Sequence, residues 1–405
     1  DRVRLISDNL SIRTNGDAFG IGWTVAGAGS RCDSNWVHSG TVHEGGQGII
    51  IQRCKGVEGD SVYVRWNDID VGNGPHSGSQ SGRARGIYFR FIPSGPSDLI
   101  GNEYVAFRNN SVTVRVDTDT ATTWIGRESE GIVGYWSAGE TNYQSPALHN
   151  DFTSNYVEAI TSGTPTGWFR RVAFDYGALD SSLYPLFQKS GYNLFKNNHW
   201  KSATSVVSIA NMQGMCGNGL LMIGDTIEAT EKADSTIFFH QSGAYILHSR
   251  NNRLRDCVFL DKALDTVRWS NYTPPPNGSN DSLGLSVQFE RTIRTVVHNT
   301  LGAAIAGATA TITNAYGQVI GTGLTNVAGV FEAIGIYKFK SKQGTPWAVL
   351  DSLAYNPFTL KAKLDNDSVS VSFTVDRNHA CDTLTLSIVT IPADSLAKSL
   401  ILRKF

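Results

Sequence analysis

The chain has 405 residues, 18% of them charged, with 35 Lys and Arg balanced by 36 Asp and Glu for a net charge of −1. Globular chains carry about 25% charged residues, and neither sign is gathered into a stripe here, which argues against a nucleic-acid surface. Gly accounts for 41 residues, and no apolar run approaches the ~18 residues of a membrane-spanning helix, so the composition points to a turn-rich, all-β chain of about two to four domains.

The start at Asp1 rather than Met is what a removed leader, a cleaved precursor or a missing N-terminal piece would leave. The five cysteines, Cys32, Cys54, Cys216, Cys257 and Cys381, contain no C-x-x-C pair. That spacing argues against structural zinc, and an odd, sparse set is no disulfide framework. A Cys32–Cys54 bridge is one reading; small buried apolar side chains are the other.

Short apolar runs flanked by Gly, Asn, Asp or Ser recur from the first hundred residues onward, at 48–51, 61–66, 86–92, 104–107 and 111–116. These are predicted strands. Residues 1–175 are therefore a β-rich region, either the start of a solenoid or a separate β domain. Within it, His38 and His43-Glu44 lie near Cys32, but their spacing fits no helix-borne metal motif. Residues 68–74, Asp-Ile-Asp-Val-Gly-Asn-Gly, are read as a tight loop with oxygen ligands of the kind calcium favours. Turns use Asp and Asn for their own reasons, so a plain turn is the competing reading. Trp124, Tyr135, Trp136 and Tyr143 fall in a stretch rich in Gly, Ser, Thr and Asn. Aromatic faces with amide and hydroxyl neighbours suit sugar rings, and these four are the candidate glycan-binding residues; core packing is the alternative.

Residues 176–269 carry further short strands at 205–209, 220–223, 236–239, 244–247 and 256–260, linked by Asn- or Gly-rich corners such as Lys196-Asn197-Asn198 and Arg250-Asn251-Asn252-Arg253. Asn tolerates left-handed corners between stacked strands, so this region resembles the coils of a right-handed parallel β-helix. Parallel β-helices can carry sugar-cleaving carboxylate pairs. Asp256, Asp261 and Asp265 form one acidic group and Glu228, Glu231 and Asp234 another, neither in a recognisable hydrolase motif. Asp256 reads as part of a strand. No catalytic residue, metal ligand or cofactor is assigned.

Residues 270–286 include Ser-Asn-Tyr-Thr-Pro-Pro-Pro-Asn-Gly-Ser-Asn-Asp-Ser-Leu-Gly, a Pro-, Asn- and Ser-rich linker. From 287 to 391 the strands alternate strictly. Ile293, Val296 and Val297 begin the pattern, 308–312 follow, Asn314-Ala315-Tyr316-Gly317 makes a turn, and 319–320 and 324–331 close it. This order of strand, small-residue turn, strand and Thr-x-x-x-Gly-x-Phe-like closure resembles the transthyretin-like, carboxypeptidase-regulatory-like modules. The resemblance covers about 100 residues and implies an immunoglobulin-like sandwich that serves as a spacer or assembly piece. Residues 392–405 carry Leu396, Leu400 and Ile401 and are expected to dock on a neighbour or on the sandwich.

The expected fold is all-β: a right-handed parallel β-helix-like body with a C-terminal immunoglobulin-like (transthyretin-like) β-sandwich. The expected role is a structural or adhesive protein of a virion (phage tail, fibre or capsid appendage) or bacterial surface. Such a chain would self-associate or bind other structural proteins, with a host glycan as a further partner. A polysaccharide-degrading enzyme and a non-catalytic carbohydrate-binding adhesin are the alternatives.

Overall fold

The fold is known from a computed structural model that describes residues 4–7, 18–24, 26–42, 46–52, 54–73, 83–90, 102–117, 128–134, 147–162, 170–176, 193–202, 207–212, 220–230, 237–242, 249–269, 285–343, 348–352, 355–377 and 384–388. The chain forms two compact units, one of Asp1–Val287 with Ser341–Leu350, the other of Gln288–Lys340 with Asp351–Phe405.

In the first unit the described strands fall into three long parallel sheets, and the chain visits each once per turn. The first sheet runs through Arg4–Ser7, Trp36–Val42, Asp68–Asn73, Ser111–Asp117, Tyr156–Ser162, His199–Ser202, Thr226–Ala229 and Val258–Asp261. A second contains Arg31–Asp33, Val62–Arg65, Val105–Arg108, Asp151–Thr153, Leu194–Lys196, Leu221–Ile223 and Ser249–Arg255. A third runs from Ala18–Thr24 to Val267–Trp269. Each strand pairs in parallel with its counterpart one coil away, for example Phe107 with Phe152 and Val112 with Val157. This is the strand order of a parallel β-helix.

The corner between the second and first sheets explains why the coils stay in register. At each turn one residue adopts a left-handed φ, and a buried polar residue follows it. Ser34, Asn109, Ser154, Asn197 and Asp256 have φ between 53° and 57°, and Gly224 has 65°. The buried residues are Asn35, Asn67, Asn110, Asn155, Asn198 and Asp225. From Asn67 to Asn198, each Asn Oδ1 accepts from the amide nitrogens of the coil before it. Asn155 Oδ1, for instance, takes the Asn110 backbone N–H at 3.0 Å and its Nδ2 at 2.9 Å. Each Nδ2 in turn donates to a strand carbonyl one coil back, as Asn155 does to Phe107 at 2.9 Å. The corner N–H groups bond along the same column, Asn109 to Thr153 and Ser154 to Lys196. No other uncharged side chain of this length offers two donors and an acceptor together.

Registered corners stack like on like. On the inner face of the second sheet Phe107, Phe152 and Phe195 lie parallel, with centroids 4.6 and 4.5 Å apart and planes within 7°. Val37, Ile69, Val112, Val157, Trp200 and Ile227 line the inner face of the first sheet, all buried. Full burial of such side chains contributes about 1.5–3 kcal/mol each.

The ladder ends by a change of residue. Asp225 accepts from the Asn198 N–H at 2.9 Å and from Trp200 Nε1 at 2.8 Å. As a carboxylate it has no side-chain donor for Cys257 in the next coil, whose Sγ lies 3.9 Å from the Met222 carbonyl, where other coils place an amide. Burial raises the Asp225 pKa to about 7, and the Trp200 and Asn198 hydrogen bonds only partly offset it.

In the second unit, Val319–Leu324, Thr309–Thr313, Phe358–Leu364 and Asp367–Phe373 form a four-stranded antiparallel sheet in that order. Leu285–Asn299 pairs in parallel with Leu384–Ile388. Phe289, Ile293, Val297, Ala310, Ile312, Phe358 and Leu360 are buried. A Cβ on Gly335 would come 2.7 Å from Ile293 Cδ1 and 3.1 Å from Phe358, so a side chain there would have to displace that Ile293 methyl. The Asn314 turn is built as its sequence predicts: its Oδ1 accepts from Tyr316 and Gln318, both at 3.0 Å, and Gly317 takes φ 75°.

Three local expectations are corrected. Residues 68–73 are a strand of the first sheet, because Asn67 supplies the corner just before them. Asp256 is a corner residue at φ 53°, so 254–260 is two strands in two sheets. Asn251 and Asn252 lie within a strand, with Asn252 buried and bonded to the Leu220 N–H at 3.2 Å. The linker at 270–284 and the tail at 392–405 lie outside the described residues.

Two predictions follow from the ladder. Asn155→Ala removes the acceptor of two Asn110 donors and the donor to Phe107, at about 1–3 kcal/mol for each buried group left unpaired. Urea denaturation should show that loss, whereas Thr113→Ala on the outer face should stay within about 0.5 kcal/mol of wild type. Asp225 binds its proton more tightly folded than unfolded. Its stabilising contribution is thus complete below its ordinary range near pH 4 and is lost as the pH climbs to about 7. The stability of wild type relative to Asp225→Asn should therefore fall across that window, as read by denaturation at stepped pH.

Candidate functional site

The residues one and three places after each ladder residue point outward from the first sheet. In register they form two columns: Trp36, Asp68, Ser111, Tyr156, His199, Thr226 and Val258; and His38, Asp70, Thr113, Glu158, Lys201, Glu228 and Leu260. Neighbouring coils lie about 4.8 Å apart, so side chains in one column reach each other directly.

Five titratable groups meet on the central coils. Lys201 Nζ lies 3.2 Å from Glu158 Oε1 and 3.4 Å from Glu228 Oε1. Tyr156 donates its hydroxyl to Glu158 Oε2 at 3.0 Å, and His199 Nε2 sits 2.8 Å from Glu228 Oε2. The Tyr156 ring meets the His199 ring edge-on at 5.1 Å. Glu158 and Glu228 side chains are 20% and 18% exposed, open enough for a solute to touch.

The electrostatics limit the chemistry. Partial burial raises the Tyr156 pKa, and the charge and hydrogen bond of Glu158 raise it further. Partial burial opposes the charge on Lys201, but the Glu158 hydrogen bond and charge, with Tyr156 and Glu228, outweigh it and hold the ammonium above its ordinary value. Neither group is placed to take a proton at neutral pH. The two carboxylates share one ammonium, at 3.2 and 3.4 Å, so both are held on one outer face.

A second network lies on the same face. Arg115 holds Asp70 in a two-point pair at 3.0 and 3.1 Å, and His38 Nδ1 lies 3.7 Å from the same carboxylate. The Trp36 and His38 rings stack at 5.5 Å.

Of the residues singled out from sequence, Glu228 enters the central cluster and His38 the second network. Glu231, Asp234, His43 and Glu44 lie outside the described residues, as do the glycan candidates Trp124, Tyr135, Trp136 and Tyr143. Asp256 and Asp261 sit at corners with left-handed φ rather than facing each other across a groove. Asp70, proposed as a loop ligand, is paired on a strand. Cys32 and Cys54 are buried thiols not joined in a disulfide, so the bridge is not formed; burial, then Asp33 and Cys54, push the Cys32 thiol up to about 12. Among the described residues no three His, Cys, Asp or Glu side chains gather as a metal site, and no helix is long and apolar enough to cross a membrane.

Tyr156, Glu158, His199 and Lys201 were missed, although a signal for them exists. Ser-Asn-Trp-Val-His, Trp-Asn-Asp-Ile-Asp, Asn-Asn-Ser-Val-Thr, Ser-Asn-Tyr-Val-Glu, Asn-Asn-His-Trp-Lys and Gly-Asp-Thr-Ile-Glu begin at 34, 66, 109, 154, 197 and 224. Aligned on their second residue, they place the outward columns side by side.

Lys201→Ala leaves Glu158 and Glu228 facing each other without a counter-charge. A loss of roughly 0.5–1 kcal/mol is expected in low salt, shrinking as added NaCl screens the repulsion. Thermal melts at two salt concentrations measure it.

No protein-family model matches the chain, and no curated protein is similar to it. Among solved structures, the enzymatically active domain of tailspike protein 2 of bacteriophage CBA120 is 8% identical, over 87% of this chain and 72% of that one, with a TM-score of 0.16. At that score the likeness carries no argument.

Proposed function

We propose that this chain is a structural and adhesive protein of a virion, as in a phage tail, fibre or capsid appendage, or of a bacterial surface. In this reading a right-handed β-helix body is followed by an immunoglobulin-like, transthyretin-like sandwich. The observation that carries it is the hydrogen-bonded ladder from Asn35 to Asp225, which ties each coil to the next. Stacked coils bury one continuous core and derive stability from nearest-neighbour contacts, which suits a load-bearing part. The chain would self-associate or join other structural proteins, and the outer face of the first sheet offers aromatic and polar groups in rows to an extended glycan. Sedimentation and negative-stain microscopy of the purified chain test this: a symmetric oligomer is expected, and a chain that stays monomeric at high concentration overturns the assembly role.

One observation favours a second reading, a polysaccharide-degrading enzyme. Glu158 and Glu228 flank Lys201 on one outer face, and glycoside hydrolysis works through a pair of carboxylates. Reducing-end release from bacterial polysaccharides, abolished in both Glu158→Gln and Glu228→Gln, would establish it. Proton abstraction by Tyr156 or Lys201, as a lyase would need, runs against the direction in which both are held.

A further inference from the structure

The corner preceding each ladder residue requires a left-handed backbone. Ser34, Asn109, Ser154, Asn197, Gly224 and Asp256 fill it with side chains that are small or that tolerate that conformation. One corner breaks the rule: Trp66 stands there at φ 53° and is 51% exposed. A bulky aromatic gains nothing from that backbone, and Asn would serve the corner better. The indole also leaves half its surface in water, so burial does not explain it.

Its surroundings are built. The Arg65 guanidinium lies over the Trp66 ring at 4.4 Å and over the Tyr63 ring at 4.7 Å. Asp33 locks that guanidinium through two bonds, Nε to Oδ1 at 3.1 Å and Nη2 to Oδ2 at 2.5 Å. The hydrogen bond to Asp33, ahead of the burial that opposes it, raises the Arg65 pKa. The result is a fixed aromatic–guanidinium–aromatic stack whose ion pair is internally neutralised. The Arg31 guanidinium also lies over the Tyr63 ring, at 6.0 Å from its centroid. The neighbouring coils place the Ser34 corner on one side of the Trp66 corner and the Asn109 corner on the other.

We propose that Trp66 is a stacking platform for the apolar face of a neutral hexopyranose, with Ser34 and Asn109 within reach of its hydroxyls. This deepens the adhesive reading by naming a contact point and a ligand class, and it stands apart from the carboxylate cluster.

The test uses the full chain, its Trp66→Asn and Trp66→Phe variants, and a printed array of neutral hexose and N-acetylhexosamine oligosaccharides, with hits measured by calorimetry. Wild type should bind. Trp66→Asn should lose at least about tenfold in affinity and melt a few degrees higher, because Asn relieves the corner. Trp66→Phe should retain part of the binding without that gain. Absence of any neutral-sugar hit for wild type, or wild-type affinity in Trp66→Asn, overturns the proposal. A lower melting temperature for Trp66→Asn would show that the indole is there to pack Arg65, and a changed sedimentation coefficient would show that it contacts a second copy; each overturns the sugar platform. Oligomeric state is read separately from binding, so failure of the assembly role and failure of this site are distinguishable.

Discussion

The structure of the first unit depends on one constraint: an amide side chain buried at a corner must find partners in both neighbouring coils. Asn67, Asn110 and Asn155 meet it by accepting from the coil before, donating to a carbonyl of that coil, and donating to the ladder residue of the coil after. A slip of one residue in any coil would leave several donors and acceptors buried and unpaired, at about 1–3 kcal/mol each. It would also turn the apolar residues outward and the charged ones inward, because side chains alternate along a strand. Register, inner stacks and outer columns are therefore consequences of the same corner. The parallel Phe107, Phe152 and Phe195 rings show this well: like residues at equal distance from the corner have to stack.

The same constraint explains why sequence reading reached some of this and missed the rest. Alternation at 61–66 and 111–116 is local, and strands formed there. Asn197-Asn198 was recognisable as a corner because the left-handed preference of Asn is a property of one residue. The pairing was not recognisable, because successive ladder residues are 32, 43, 45, 43 and 27 positions apart. Loops between strands vary freely in length while the corners do not, so no fixed period appears. Asp70 looked like a loop ligand because Asp and Gly dominate 68–74; only the Asn67 corner shows that a strand must start there. The central cluster was harder still: Tyr156, His199 and Glu228 become neighbours only once three coils are aligned. Glu228 alone was picked out, for its charge and without its partners.

Scaffold and chemistry are written at different positions of each coil. The ladder residue and the residue two places after it point inward and vary little: Asn with Val, Ile or Trp, then Asp225 and Cys257 at the end. The outward positions between them range over Trp, Asp, Ser, Tyr, His, Thr, Glu and Lys. A sheet face of this kind can change its chemistry coil by coil at little cost, since exposed cross-strand pairs contribute only about 0.2–1 kcal/mol. The Glu158–Lys201–Glu228 row is consistent with either use of such a face. It satisfies its own charges as a structural ladder would, and it holds two carboxylates on the outer face.

Trp66 differs from every residue on that face because it occupies a scaffold position. An outward residue such as His199 or Tyr156 takes ordinary strand geometry, and its presence needs no explanation beyond its neighbours. At the corner the backbone is dictated by Asn67 and the Trp66 N–H bond to the Arg108 carbonyl. The side chain must be carried on a left-handed φ at a cost of order 1–3 kcal/mol. Half of the indole is in water, so its own burial cannot recover that cost in full, and its stacking on Arg65 recovers about 0.5–1 kcal/mol at an exposed site. The remainder is a local loss that the rest of the coil absorbs, which is how a body built from repeated stabilising contacts can hold one residue in place for something outside itself.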